Sequence, residues 1–262
     1  MPRIPSEMMD TVFYLYPTVE AAHAGHAAGG TGIFIGHDIE GLPGREITYA
    51  CSNKHVVGKL GCSVIRVNNS DGTTQVINSD PAQWTFDPHN DLAAVTFGRD
   101  PSSKIKTVPL RMFVTRDQVK DRTVGPGDEV FMVGRFVNHD GLLVNVPSVR
   151  FGHISMMPLG IRHPDGYSQE SFAVEMLSRP GYSGSPVWSY RTSDQFNSAA
   201  VPPGENAGFR SPRSQHVEAQ RHPNSRAPNA RLAATDGGSM LTRSSGLGIS
   251  RSFITLLLIR IG

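Results

Sequence analysis

Gly30-Thr31-Gly32-Ile33-Phe34-Ile35-Gly36 decides how the chain reads: it is a short run of β-branched and aromatic residues bounded by glycines. Such a run is too short for a helix and suits a strand buried in a sheet. The pattern repeats outward in both directions. Upstream, Thr11 to Tyr16 is strand-like and closed by Pro17, and Glu20 to Gly30 is a loop or short helix. Downstream come Glu46 to Ser52, Cys62 to Val67, Thr73 to Asn78, Trp84 to Phe86 and Asp91 to Phe97, parted by Gly, Asn, Asp and Pro clusters. No helical period of comparable length interrupts them, which argues for an all-β barrel or sandwich and against an alternating α/β sheet.

Gly98 to Gly127 is less regular, with Pro101, Pro109 and Pro126 and a helical turn predicted around Thr115 to Arg122. It has the character of a connection between lobes. A second series of strand-like runs follows at Asp128 to Phe136, Leu142 to Val146, Val149 to Met156, Ser171 to Met176 and Pro186 to Tyr190. From Arg191 the chain turns to Ser, Arg, Pro, Asn, Ala and Gly, a composition that buries too little apolar surface to offset its ordering entropy. Only Ile254 to Ile261 again reads as a strand. The divisions predicted are a lead-in over 1–30, a first β lobe over 31–98, a connection over 99–127, a second β lobe over 128–190 and a disordered tail over 191–262.

With 262 residues, 38% hydrophobic and 18% charged, the chain can build one large domain or two lobes around a real core. A formal charge of +2 points to neither nucleic acid nor an anionic membrane as partner. The positive charge gathers late, with nine arginines, no lysine and four acids from Arg191 onward. Cys51 and Cys62 are too few for a disulfide framework, lack metal-ligand spacing and are expected to be reduced. His23 and His26 have no third ligand spaced to join them, so neither metal nor cofactor is expected. The start of the chain lacks the pattern of a signal peptide, and its longest apolar run is far short of the roughly 20 residues that span a bilayer. A soluble, cytoplasmic protein is the expectation.

Three places carry chemistry. In Gly181-Tyr182-Ser183-Gly184-Ser185-Pro186, two glycines flank a serine, as suits a backbone that turns sharply and aims its N–H groups at an oxygen gaining charge. A serine hydroxyl is a poor nucleophile near neutral pH and needs a base to take its proton and an anion to orient that base. His55 lies where the apolar run Ile47 to Cys51 passes through Ser52-Asn53-Lys54 into Val56-Val57. Asp91 opens Asp91-Leu92-Ala93-Ala94-Val95, where a carboxylate at the mouth of an apolar strand can be kept dry. Taken singly, the serine stretch also reads as a turn between strands and Asp91 as a strand cap.

Together these segments resemble the trypsin-like serine peptidases of the chymotrypsin fold, in their bacterial form without a PDZ domain. The serine stretch is similar to the family's Gly-x-Ser-Gly-x-Pro loop, with Ser185 in place of the more usual second glycine. Cys51-Ser52-Asn53-Lys54-His55-Val56 is similar to its Val-Thr-Asn-x-His-Val segment, with Cys51-Ser52 in place of Val-Thr, and Asp91-Leu92-Ala93 to its Asp-Leu-Ala segment. Gly127 to Gly134 and Arg150 to Ser155 resemble successive strands of its second lobe, and the chain order His55, Asp91, Ser183 is that of chymotrypsin-like enzymes. The resemblance covers about residues 12 to 190.

It implies two six-stranded antiparallel β-barrel lobes and a serine endopeptidase that cuts polypeptides through an acyl-enzyme. Ser183 is then the nucleophile, His55 the base, Asp91 the residue that orients His55, and the N–H groups of Gly181 and Ser183 the oxyanion hole. Met176 and Leu177 would floor an apolar substrate pocket. The family needs about two more strands after the serine loop, where this chain has its Arg/Ser/Pro-rich segment, so the second lobe is expected to be incomplete at its C-terminal end. A protease-like binding module without turnover is the alternative. Where digestive members carry an aspartate that pairs with a newly cut N-terminus, this chain has Tyr182. Its loop is therefore expected to be held by packing of the Tyr182 ring and a hydroxyl bond to backbone, with residues 1–30 still attached.

Overall fold

In the computed structural model, which describes residues 3–121, 123–136, 143–162, 168–176, 181–190, 251–253 and 258–261, the apolar runs form strands in two sheets. The first holds β1 (Val12–Tyr16), β2 (Gly30–Asp38), β3 (Glu46–Ser52), β4 (Val64–Asn68), β5 (Thr74–Ile77), β6 (Thr85–Phe86), β7 (Ala93–Thr96) and β8 (Val108–Pro109). Their order is β5-β4-β1-β2-β3-β7-β6, with β8 beside β2. The second holds β9 (Glu129–Gly134), β10 (Ser148–Arg162), β11 (Ser168–Met176), β12 (Val187–Tyr190), β13 (Arg251–Phe253) and β14 (Leu258–Ile261), in the order β13-β11-β10-β9-β12-β14.

Two mainly antiparallel sheets with few short helices are the all-β class expected of the sequence. The strand numbers differ from six and six: among the described residues the first sheet has eight, and neither sheet closes into a barrel. β1, fully buried along its length, lies between β4 and β2, and the two-residue β8 adds to β2 in parallel. β14 also pairs in parallel, with β12. All described residues fall in one compact unit, Met1–Arg191 with Ser244–Gly262; the other, Thr192–Arg243, lies outside the described residues, as does most of the tail. Among the described residues no helix is long and apolar enough to cross a membrane.

Residues 143–146, the described part of the run predicted as a strand over Leu142 to Val146, form no strand. Hydrogen bonds to β4 capture them instead. The Asn145 N–H donates to Asn68 Oδ1 at 2.8 Å, its carbonyl accepts from Asn68 Nδ2 at 2.8 Å, and its amide donates to Arg66 O at 2.7 Å while accepting from Arg66 Nε at 2.8 Å. With Asn145 so occupied, Leu143 and Val146 face solvent, although the run is apolar enough to read as a strand. Arg66 itself is fully buried, its guanidinium 4.8 Å from the Tyr16 ring centre and its Nη1 2.9 Å from Ala22 O. A buried cation is tolerated because its donors are met and its plane is covered.

The two short helices follow ordinary cap chemistry. α1 (Val19–Ala24) starts where Thr18 Oγ1 accepts from the Ala21 N–H, and α2 (Arg116–Lys120) starts with a reciprocal Thr115–Gln118 box. One core fills the first sheet around Phe13, Leu15, Phe34, Ile65 and Trp84. Another, around Val130, Met132, Ile154 and Val174, fills the second. Between them Ile33, Ile35 and Cys51 of the first sheet meet Phe131, Val133 and Trp188 of the second, with Phe131 stacked on Trp188 at 6.1 Å. This shared layer holds β3, β9 and β12 against each other, and the chemistry-bearing residues sit at its edge.

Candidate active site

β3 ends at Ser52, and the chain passes through Asn53 and Lys54 into a single π-type turn, His55–Lys59, closed by the Leu60 N–H on His55 O at 2.9 Å. Val56 and Val57 are buried in the first core and pin the turn down, leaving the His55 side chain 37% exposed at the surface. Wide turns of this kind cost hydrogen-bond geometry and tend to mark functional sites. β7 pairs with β3 in a register that sets Ala93 opposite Ser52, so the residues just before β7 must lie beside those just after β3. Asp91 is delivered there.

Both oxygens of the buried Asp91 carboxylate are used on one residue. Oδ2 lies 2.6 Å from His55 Nδ1, and Oδ1 accepts the His55 backbone N–H at 2.8 Å. Asn53 Nδ2 donates to Asp91 O at 2.9 Å. An ionised carboxylate only accepts, so Nδ1 carries the imidazole proton and Nε2 is left with a lone pair. The loop before Asp91 is stiffened by Asp87, whose Oδ1 accepts the N–H groups of His89 and Asn90 and the Asn90 amide. These donors, the His89 N–H foremost, hold the Asp87 carboxyl below its usual range.

The serine loop is bent at two glycines in the left-handed region, Gly181 at φ +95° and Gly184 at φ +83°. A Cβ at Gly184 would overlap Thr31 O and Ser52 Oγ, so only glycine fits. The carbonyls of the loop turn inward. Gly181 O accepts from Thr31 Oγ1 at 3.1 Å, Tyr182 O from the Ser185 N–H at 2.9 Å and Ser183 O from the Thr31 N–H at 2.8 Å. Among the described residues, the N–H groups of Gly181 and Ser183 have no acceptor. Gly30 sits between loop and turn: a Cβ there would lie 2.7 Å from Val56 Cγ1 and 3.0 Å from Ser183 O. Ser183 and the residue that follows His55 thus flank the same glycine.

Tyr182 is 1% exposed and packs in the second core with Val130, Met176 and Val187, the Arg150 guanidinium 5.0 Å from its ring centre. Its hydroxyl pairs with Ser148 Oγ on β10, a side chain where a backbone partner was expected. Among the described residues, Ser185 Oγ is buried with no partner. Since an unmet buried hydroxyl carries a desolvation cost, Ser185→Ala is expected to stabilise the protein by about 1 kcal/mol, read as a raised denaturant midpoint at unchanged slope.

Met176, expected at a pocket floor, is 3% exposed and packs in the second core with Val130, Tyr182 and Val187. Leu177 lies outside the described residues. The cavity beside the site lies elsewhere. It measures about 380 Å³, is lined mainly by apolar atoms, and runs from His55 and Asp91 along Lys59, Phe86 and Pro88. Thr31, Ser52, Asn53 and Ser148 were not singled out from the sequence. Their signals there are faint: a β-branched residue between two glycines, and a Ser-Asn pair before the histidine.

The described residues thus form two β-sheets with an aspartate–histidine pair at the end of β3 and a serine between glycines held close by. No family model and no curated protein matches the sequence. Among solved structures, the chain is similar to Deg5, at 19% identity over 69% of this chain and 75% of that one, with a TM-score of 0.45. It is similar to the MamO protease domain from Magnetospirillum magneticum in its apo form, at 16% identity over 70% of this chain and 80% of that one, with a TM-score of 0.43. A third is the active form of the Rv3671c protease from M. tuberculosis, at 16% identity over 71% of this chain and 76% of that one, with a TM-score of 0.41.

Proposed function

We propose that the chain is a serine endopeptidase that cleaves polypeptides through an acyl-enzyme. The observation that carries this reading is the double hold of Asp91 on His55 beside a serine loop whose Gly181, Tyr182 and Ser183 carbonyls are each held by a donor of the chain itself. Asp91 keeps the Nδ1 proton in place, so His55 Nε2 takes the proton of Ser183 Oγ as the oxygen attacks the substrate carbonyl. The carbonyl oxygen gains a negative charge and accepts hydrogen bonds from the N–H groups of Gly181 and Ser183. The imidazolium then gives its proton to the leaving amine, and the C–N bond breaks. Water, deprotonated in turn by His55, releases the acyl group and restores Ser183. The cavity along Phe86 and Pro88 opens on His55 and offers an apolar wall to a substrate side chain next to the cut bond.

A fluorophosphonate tests this reading, since it reacts with a serine only when a base has activated it. Incubation with the full chain is expected to add one phosphonyl group, located by peptide mass spectrometry at Ser183. A chain that stays unmodified, or is modified at another serine, refutes the assignment and favours a binding module without turnover.

A further inference from the structure

We propose that Thr31 is a positioning residue that sets the serine loop in its working shape, an inference that rests on the peptidase reading. Thr31 is fully buried, and each of its polar groups is engaged. Its N–H donates to Ser183 O at 2.8 Å, and its Oγ1 donates to Gly181 O at 3.1 Å. The same Oγ1 accepts the Arg135 N–H at 3.1 Å, and Thr31 O accepts from Ser52 Oγ at 2.7 Å. One residue therefore holds the carbonyls on both sides of the nucleophile.

The frame behind it is rigid. Thr31 stands in β2, with its Cα paired opposite Tyr14 of β1, and Arg135 follows directly on β9. Two sheets meet at the Thr31 hydroxyl. A threonine has few χ1 choices, so once Arg135 and Gly181 claim the oxygen the hydroxyl has one direction. Gly181, at φ +95° and without a Cβ, is the residue in the loop most free to turn. Held by Thr31, the Gly181 carbonyl fixes the peptide plane that follows Gly181 and the Ser183 carbonyl fixes the plane that follows Ser183, so the Tyr182–Ser183 plane that carries the Ser183 N–H is clamped between two fixed planes. Through Ser52, three residues before His55, the same residue ties the loop to the strand end that carries the base.

The test uses the full chain and a fluorophosphonate, with the reaction split into reversible affinity (KI) and the rate of bond formation (kinact). Thr31→Val keeps the shape and loses the hydroxyl, leaving Gly181 O and the Arg135 N–H without their partner. It is expected to lower kinact about 10²-fold at unchanged KI, the scale of losing one oxyanion donor. Thr31→Ser and Thr31→Ala both lose the methyl and differ only in the hydroxyl. The serine variant is expected to restore kinact to within about 3-fold of the parent and the alanine variant to match valine. Labelling at a temperature well below the melting point of each variant, where circular dichroism shows both the serine and the alanine variant fully folded, separates positioning from folding. This pair also carries the test if Thr31→Val fails to fold. If the parent is labelled and kinact is the same with and without the hydroxyl, the proposal falls and the peptidase reading stands. If the parent itself is not labelled, the peptidase reading falls and takes the proposal with it.

Discussion

Ser183→Ala is expected to lower casein hydrolysis by roughly 10⁶-fold, and His55→Ala by about as much, because neither the nucleophile nor the base works without the other. The double variant should then be no slower than either single one, which distinguishes a shared mechanism from two independent losses. Neither change should unfold the protein. The His55 ring is partly exposed, and its place in the turn depends on its backbone and on Val56 and Val57 rather than on the imidazole. Ser183 is bound into the loop through its carbonyl, which Thr31 keeps whatever the side chain. Matching thermal melts therefore check that a lost rate is lost chemistry. A Ser183→Ala protein that retains the full rate would show that another residue carries the reaction.

Asp91→Asn is expected to cost about 10⁴-fold in turnover, the scale seen when an acid of this role becomes an amide. The reason lies in how Asp91 is used here. Its two oxygens accept from two donors of the same residue, His55 Nδ1–H and the His55 backbone N–H. An amide has one accepting end. If its oxygen stays with the backbone N–H, its NH₂ faces Nδ1 and forces the proton to Nε2, so His55 can no longer act as base toward Ser183. If it turns round, the NH₂ meets the backbone N–H and the turn that presents His55 is strained. Asp91→Ala should be less active than the parent but should not impose the wrong tautomer. Comparing the two variants by rate and by imidazole nitrogen NMR checks the argument. An Asp91→Asn protein with parental turnover, its Nδ1 still protonated, would remove Asp91 from the mechanism.

Much of the fold was legible in the sequence because strands are announced locally. Val12–Tyr16, Gly30–Asp38, Glu46–Ser52 and Glu129–Gly134 are runs of β-branched and aromatic residues between glycines, prolines and polar clusters, and each forms a strand. The same local logic singled out the flexed serine loop, where glycine at 181 and 184 answers to positive φ, and the histidine and aspartate at strand ends. Where local pattern failed, a distant partner had intervened. Leu142 to Val146 is an apolar, β-branched run that reads as a strand, yet Asn145 spends its backbone and side chain on Arg66 and Asn68, more than seventy residues away.

By itself, then, the sequence determined the all-β class, the places of its main strands and the residue types able to do acyl-transfer chemistry, since propensity, turn residues and short motifs act over a few neighbours. Only the tertiary structure decided the strand order, the placing of Asp91 on both donors of His55 and the gathering of four hydrogen bonds on Thr31. Thr31 and Gly181 are 150 residues apart. A hydrogen bond across that separation leaves no period or spacing in the sequence, because its geometry is set by how two sheets pack and not by either segment alone.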